Sequence, residues 1–378
     1  MKVYKKALLP LEFQSNGITC GIKKSAKLDL ALFYSRLPAK AACKFTTNKL
    51  PAAPIILDKI NLKEGKRFQA VIVNSGNANC FTGRHGLSDA WSTAAALAGA
   101  LRLNKKSILV SSTGIIGRRL PLAKIKKAIP QLAAGLSRLG IDKAKRAIMT
   151  TDTFVKEISV RFNIGSRTVT LCGVAKGAGM IAPDMATMLA FILTDADISQ
   201  GALNKALKIC LDNSFNCITV DGCMSTNDSL ILLANGASRN SRITRERYFS
   251  PFVKALNTVC RELAKMIVAD AEGASKFIKI TVRGGISFTQ AKRVALAVAN
   301  SSLFKTAMFG ENPNFGRIVA AVGASGVRVS EKDLKIRVSP LHKREINVEI
   351  GLAQGRFDCT VYTSDLSPEY VKINAGYN

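Results

Sequence analysis

The chain has 378 residues, 47% of them hydrophobic, and a formal charge of +29; a mean hydropathy of +0.14 describes a globular chain with a sizeable core in one large domain or two and excludes a disordered one. A pI near 10.0 raises nucleic acid as a partner, but the basic residues are scattered and aromatics are only 6%, thin for stacking bases, which disfavours that class. No apolar run is long enough for a membrane span, and Pro10 and Glu12 interrupt the N-terminal apolar stretch too early for a signal peptide; the cysteine usage points to a cytoplasmic protein.

Alternation from Lys27 to Tyr34 predicts a strand. A second strand and turn are expected within Ala41–Ala53, around Phe45-Thr46-Thr47-Asn48, and the β-branched run Phe68–Val73 reads as a buried strand. It runs into a polar loop of small residues, Asn74 to Gly83, which is either an ordinary turn or a shaped functional loop. Ser88 or Asp89 is placed to cap a helix reaching Leu101. The strand Ile108–Ser111 ends in Ser112-Thr113-Gly114-Ile115-Ile116-Gly117. A strand ending in Thr-Gly at a sheet edge suits an oxyanion hole, although a strand-to-helix turn is the simpler explanation.

Pro121 opens a helix expected to end near Gly140. After the hydroxyl-rich Met149-Thr150-Thr151-Asp152-Thr153, the runs Lys156–Phe162 and Arg167–Cys172 flank Asn163-Ile164-Gly165-Ser166 as a hairpin. A strand-like run starts at Met188, and Ser199 caps a helix to about Leu211. Polar loops follow at 218–222 and 225–228, then a strand Leu230–Leu233, a helix Pro251–Ala269, and a charged loop Asp270–Lys276. The remaining expected elements are a strand Phe277–Val282, helices Thr289–Val298 and Ile318–Ala324, and strands Ile346–Ile350 and Phe357–Thr363. Irregular alternation of strands and helices favours mixed sheets covered by helices over a doubly wound fold. No dinucleotide or phosphate-loop motif is present.

Nine cysteines, an odd number with no C-x-x-C, read as reduced and mostly buried thiols, with no metal site. The two histidines, His85 and His342, lie in polar turns and read as surface residues, which argues against a His-dependent triad. A hydroxyl nucleophile in this chain therefore needs another base.

The segment Gly173 to Thr194 holds such a hydroxyl. Gly173, Gly177, Gly179 and Pro183 prevent regular structure, and Ala186-Thr187 precedes the strand-like run. Attack of the Thr187 hydroxyl on the preceding carbonyl would cut the chain and free an N-terminal amine able to act as base. On spacing alone, a threonine opening a buried strand is the simpler reading.

The stretch Lys176-Gly-Ala-Gly-Met-Ile-Ala-Pro-Asp-Met-Ala-Thr187-Met-Leu-Ala resembles the self-cleavage segment of the ornithine acetyltransferase (glutamate N-acetyltransferase) family of arginine biosynthesis. Further matches fall in the same order: Gly21-Ile-Lys-Lys-Ser, Asn74-Ser-Gly-Asn-Ala-Asn, Ser112-Thr-Gly-Ile-Ile-Gly, Met149-Thr-Thr-Asp-Thr, Thr219-Val-Asp-Gly, Ser225-Thr-Asn-Asp, Glu272-Gly-Ala, Asn312-Pro-Asn-Phe-Gly-Arg and Val371-Lys-Ile-Asn-Ala. The resemblance runs from about residue 17 to the C-terminus and reverses the simpler reading of Thr187.

It implies an α/β fold of mixed sheets sandwiched between helix layers (αββα, N-terminal-nucleophile-like). It implies cleavage between Ala186 and Thr187 into an α chain, 1–186, and a β chain, 187–378, assembled as an α2β2 heterotetramer. Thr187 would carry acetyl from N-acetylornithine to glutamate as an ester, with acetyl-CoA an optional further donor and no cofactor or metal. Its freed amine would be general base, worth ~10²–10⁴-fold. Thr113 and Gly114 match the family's oxyanion hole, where losing one donor costs ~10²–10³ in rate. Thr153, Lys176, Glu272 and Asn374 match substrate-binding positions; Lys176 suits a carboxylate and Glu272 an amino group. Related readings are an N-terminal-nucleophile aminopeptidase or amidase, and an inactive, basic, nucleic-acid-binding relative. The sequence departs from the family at Asp184, Ala271, Phe315 and Cys223-Met224, and it stops at Asn378, short of a terminal Ser or Thr that contacts substrate in relatives. Asp184 is expected to alter the rate of self-cleavage.

Overall fold

The computed structural model describes residues 1–65, 67–182 and 188–376. They form two compact units: one of residues 1–65, 67–177, 188–214 and 225–263, the other of 178–182, 215–224 and 264–376. Pro183, Asp184, Met185, Ala186 and Thr187 lie outside the described residues, as do Tyr377 and Asn378.

The first unit contains, in order, β1 (Lys2–Tyr4), β2 (Phe13–Ile18), β3 (Leu30–Phe45), α1 (Ala53–Glu64), β4 (Phe68–Asn77), α2 (Gly83–Leu101), β5 (Ile108–Ile115), α3 (Leu122–Ala134), α4 (Ile141–Ala147), β6 (Lys156–Ile164), β7 (Arg167–Lys176), β8 (Leu189–Thr194), α5 (Gln200–Asp212) and β9 (Ser229–Ala234). The helix α6 (Phe249–Ala269) belongs to this unit as far as Leu263. The strands run β1-β6-β7-β8-β9-β3-β4-β5, with β2 also on β3.

The sixteen-residue β3 joins two layers. Its first part pairs with β2 and β4, and the register breaks between Tyr34 and Ala39. Pro38 lies in that break, where a residue without an N–H is tolerated. From Lys40 the strand pairs with β9 instead. The expected short strand and the expected turn-containing segment are therefore parts of one bent strand.

Alternation along each strand sorts side chains to opposite faces. Phe33, Val71, Val73 and Leu109 from one layer pack with Val174, Phe191, Ile231 and Leu233 from the other. Phe33 and Phe191 stack at 4.9 Å between ring centroids. The opposite face of the β3–β4–β5 layer, with Leu32, Ile72 and Val110, meets Leu57, Leu97 and Ile129 of α1, α2 and α3. Over the other layer, α6 crosses Gly173, where a Cβ would sit 2.5 Å from Val259 Cγ1. This helix–sheet–sheet–helix layering is the expected fold class.

The second unit has β10 (Phe277–Gly285), α7 (Phe288–Ala299), α8 (Ser302–Phe309), α9 (Gly316–Ala324), β11 (Lys335–Val338), β12 (Glu345–Gly351), β13 (Phe357–Ser364) and α10 (Pro368–Ala375). Its sheet runs β11-β12-β10-β13, with β10 parallel to β12 and antiparallel to β13. Ile278, Ile280, Ile346 and Val348 pack beneath Val294, Val298 and Phe304 of the helices.

Several expected boundaries are corrected. The helix from Pro121 stops at Ala134 rather than near Gly140, and α4 is separate. The Asn16 side chain ends α3 by donating to the Leu132 carbonyl, at 2.9 Å. It occupies space that a Cβ on Gly135 would need. Helix α2 begins at Gly83, ahead of Ser88, and β4, β5 and β7 run through what read as loops, to Asn77, Ile115 and, past Gly173, Lys176. Helices α1, α4, α8 and α10 and strands β1, β2 and β11 had no assigned counterpart in the sequence. All nine cysteines are free, six of them buried, and both histidines are exposed. Among the described residues no helix is long and apolar enough to cross a membrane, and no His/Cys/Asp/Glu group is arranged to hold a metal.

Candidate functional site

In the first unit the ends of β4 and β5 run parallel, with Ser75 opposite Thr113 and Gly76 opposite Gly114. Gly114 has φ +132°, and a Cβ there would lie 2.3 Å from the Gly76 carbonyl carbon. Only glycine permits that approach. It brings Thr113, 6% exposed, to the edge strand's end. The Lys176 ammonium, at the end of β7 and 4% exposed, donates to Thr113 Oγ1 at 3.4 Å. A hydroxyl and an ammonium so arranged stabilise negative charge on an oxygen placed before them.

Asp152 holds this corner in place. Its Oδ1 accepts from Lys156 Nζ at 2.6 Å and from the Gly177 N–H at 2.7 Å, and its Oδ2 accepts from the Thr150 N–H at 2.9 Å. Both side chains of the Asp152–Lys156 pair are fully buried. Burial by itself would raise the Asp152 pKa, but the Lys176 and Lys156 charges and the hydrogen bonds hold it at about 2. Lys23, donating to the Leu28 and Met149 carbonyls, is lowered to about 8, first by burial and in part by the Lys176 charge. Thr153 follows Asp152 in the turn and is exposed.

Strands β7 and β8 are antiparallel neighbours, with Lys176 opposite Leu189. The expected cleavage point between Ala186 and Thr187 falls in the chain between them and lies outside the described residues. Met188 is buried; its N–H donates to Asp228 Oδ1 at 3.0 Å, and its carbonyl accepts from the Ser229 N–H at 3.0 Å. Asp228 is 1% exposed, and burial pushes its carboxyl well above the ordinary carboxylate range. Its Oδ2 finds no hydrogen-bond partner among the described residues. The neighbouring Asn227 amide donates to the Ala78 carbonyl at 2.6 Å and the Ser112 carbonyl at 2.8 Å, while Ser112 Oγ donates to Asn74 Oδ1 at 2.6 Å. The polar end of β4 with the residues to 79, and the loop 225–228, thus fix the strand that presents Thr113 and Gly114.

In the second unit Glu272 and Asn374 meet: Asn374 Nδ2 donates to Glu272 Oε2 at 2.9 Å. The Glu272 N–H donates to the Ala178 carbonyl at 3.0 Å, and a Cβ on Gly179 would fall 2.2 Å from the Glu272 carboxylate. The loop bearing Glu272 is tied down by Asp365, which accepts from Ser275 Oγ at 2.5 Å and from the Lys276 N–H at 2.9 Å. Asp221 accepts from the N–H groups of Met180, at 2.6 Å, and Ile181, at 2.9 Å, and from the Tyr370 hydroxyl at 3.1 Å. Burial and then the Asp221 charge raise the Tyr370 pKa.

Of the residues singled out in the sequence, Thr113, Gly114 and Lys176 converge in one unit, and Glu272 and Asn374 in the other. Asp152, Asp221, Asn227 and Asp228 stood within quoted motifs but carried no assigned role. A carboxylate or amide inside an otherwise small, hydroxyl-rich loop that follows apolar residues was their available signal. Of the departures, Phe315 and Cys223 are exposed and Ala271 is buried; Asp184 and the terminal Asn378 fall outside the described residues.

The ArgJ family model matches residues 14–342. A protein of Caldanaerobacter subterraneus subsp. tengcongensis, named arginine biosynthesis bifunctional protein ArgJ, is 44% identical over 397 residues, covering 98% of each chain. Its namesake from Geobacter sulfurreducens is 45% identical over 387 residues, covering 97% of this chain and 98% of its own. Among solved structures, an ornithine acetyltransferase of Mycobacterium tuberculosis complexed with ornithine is 35% identical; it covers 50% of this chain and 99% of its own, with a TM-score of 0.45.

Proposed function

The chain belongs to the ArgJ family, and on that premise we propose that it moves acetyl from N-acetylornithine to glutamate through an ester on Thr187. It is an acetyltransferase acting on small amino-acid substrates in arginine biosynthesis. The Thr187 hydroxyl first takes the Ala186 acyl group from its own nitrogen, water hydrolyses that ester to cut the chain and restore the hydroxyl, and the two products, 1–186 and 187–378, assemble as α2β2. The Thr187 hydroxyl then attacks the acetyl carbonyl and its freed amine takes the proton. The tetrahedral oxyanion is received by the Thr113 hydroxyl and the Gly114 N–H. On collapse, the C–N bond breaks and the ornithine nitrogen leaves with the proton. Glutamate's amine attacks the ester in the reverse sequence, yielding N-acetylglutamate and free Thr187.

Lys176 takes a substrate carboxylate, Glu272 with Asn374 takes the substrate ammonium, and Thr153 contributes a hydroxyl. Acetyl-CoA serves as a second donor, its thioester attacked by the same hydroxyl; no cofactor or metal is needed for either route. Nine free thiols fit a cytoplasmic enzyme.

The observation that carries this reading is the buried Thr113 hydroxyl, 3.4 Å from Lys176 Nζ, beside a glycine that no other residue can replace. The test is the mass of the purified protein under denaturing conditions together with acetyl transfer from N-acetylornithine to glutamate. Two fragments, the second starting at Thr187, and transfer that is lost in Thr187→Ala are expected. An uncleaved chain, or normal transfer by that variant, would refute the assignment. Hydrolysis that proceeds without glutamate would favour an amidase.

A further inference from the structure

A cavity of about 850 Å³ opens beside the second half of β3. None of the residues assigned above to acetyl transfer lines it. Four cations do: Lys40, Lys44, Arg67 and Arg242. The amides of Gln200 and Asn204, in the first turns of α5, and the side chains of Cys43 and Leu62 complete much of the wall.

The charges around this cavity are not balanced by the protein. Lys40 has a side chain only 14% exposed, and its nearest carboxylate, Asp197, lies 3.4 Å away. Burial lowers the Lys40 pKa; Asp197 opposes that, and the charges of Arg67 and Arg242 lower it further. Lys44, Arg67 and Arg242 form no ion pair among the described residues. Four cations facing one space with a single carboxylate repel one another, and a polyanion in that space removes the repulsion. A scatter of lysines over a basic surface does not require one of them to be desolvated in this way.

From this we infer that the cavity binds a phosphorylated small molecule of nucleotide size. Two guanidinium forks match phosphate oxygens in pairs, and Lys40 adds a point charge. The volume lies in the range of small-molecule sites and exceeds what a diphosphate alone fills. The apolar and amide portions of the wall suit a base and sugar.

The test is calorimetric titration of the full protein with ADP and, separately, with inorganic pyrophosphate. One saturable site per chain is expected, with ADP the tighter ligand and both weakened by added salt. Arg242→Gln, at an exposed position, and Lys40→Gln each weaken binding by about tenfold or more. Lys126→Gln with Lys127→Gln, on α3, leaves it unchanged, and Arg242→Gln leaves acetyl transfer unchanged. Absence of saturable binding, or equal weakening by the α3 variant, would overturn the site. Pyrophosphate binding as tightly as ADP would overturn its nucleotide size.

Discussion

Replacing Asp152 by asparagine tests the electrostatic support of the Thr113–Lys176 corner. Asparagine keeps an acceptor for the Gly177 N–H but removes the charge opposite Lys156, whose side chain is fully buried and 2.6 Å from the carboxylate. Removing one partner of a buried pair typically costs ~3–5 kcal/mol. The depressed pKa gives a second measure: the gap between about 2 and the ordinary 3.8 corresponds to ~2 kcal/mol. Asp152→Asn should therefore destabilise the first unit by ~2–5 kcal/mol. Trp91 of α2 is the chain's one tryptophan, so urea unfolding followed by its fluorescence reads this unit. The folded carboxyl is depressed, so its contribution is fully present above pH 3.8 and is lost as pH falls through about 2. Asp152→Asn combined with Lys156→Met should recover part of the loss, because the buried Lys156 charge no longer faces a neutral side chain, while the Lys176 charge remains. A single variant within ~1 kcal/mol of wild type, or no recovery in the double variant, would refute the reasoning.

Thr113→Val keeps the shape of the strand end and removes the hydroxyl; acetyl transfer should fall ~10²-fold or more while the urea midpoint changes little. Asp228→Ala leaves the buried Met188 N–H without its acceptor, at ~1–3 kcal/mol. Appearance of the two fragments on a denaturing gel should slow, and Asp228→Asn should restore much of the rate. In the second unit, Lys305 of α8 is buried against Thr363 and the Ser364 carbonyl, and burial lowers its pKa to about 8 from 10.5. The unfolded chain holds this proton up to a higher pH, so stability should rise between pH 8 and 10.5, by ~3 kcal/mol at most. Thermal melts across that range should show the rise in wild type and its absence in Lys305→Met.

Local chemistry was legible in the sequence wherever the deciding partners are near in the chain. The hairpin between β6 and β7 turns at Gly165-Ser166, with Ile164 opposite Arg167 and Gly165 at φ +58°. Ser199 caps α5 by accepting the Ala202 N–H. The motif order identified the family and pointed to Thr113, Gly114 and Lys176. Helix α1 escaped because Pro54 opens it directly after an extended stretch and its charged and apolar residues do not fall into one clear stripe.

Only the tertiary structure decided that Leu30–Phe45 is one strand serving two layers, because Pro38 marks a break in pairing without saying which strands take over. It also decided the roles of the buried carboxylates. Asp152 reads as a turn residue until Lys156 and Gly177 close on it, and Asp228 as a loop residue until Met188, 40 positions away, donates to it. Lys176 and Thr113 are 63 residues apart. The sequence by itself supplied the hydroxyls, glycines and charges of the chemistry; which of them share a desolvated corner depends on long-range strand pairing, and desolvation is what sets their charge states.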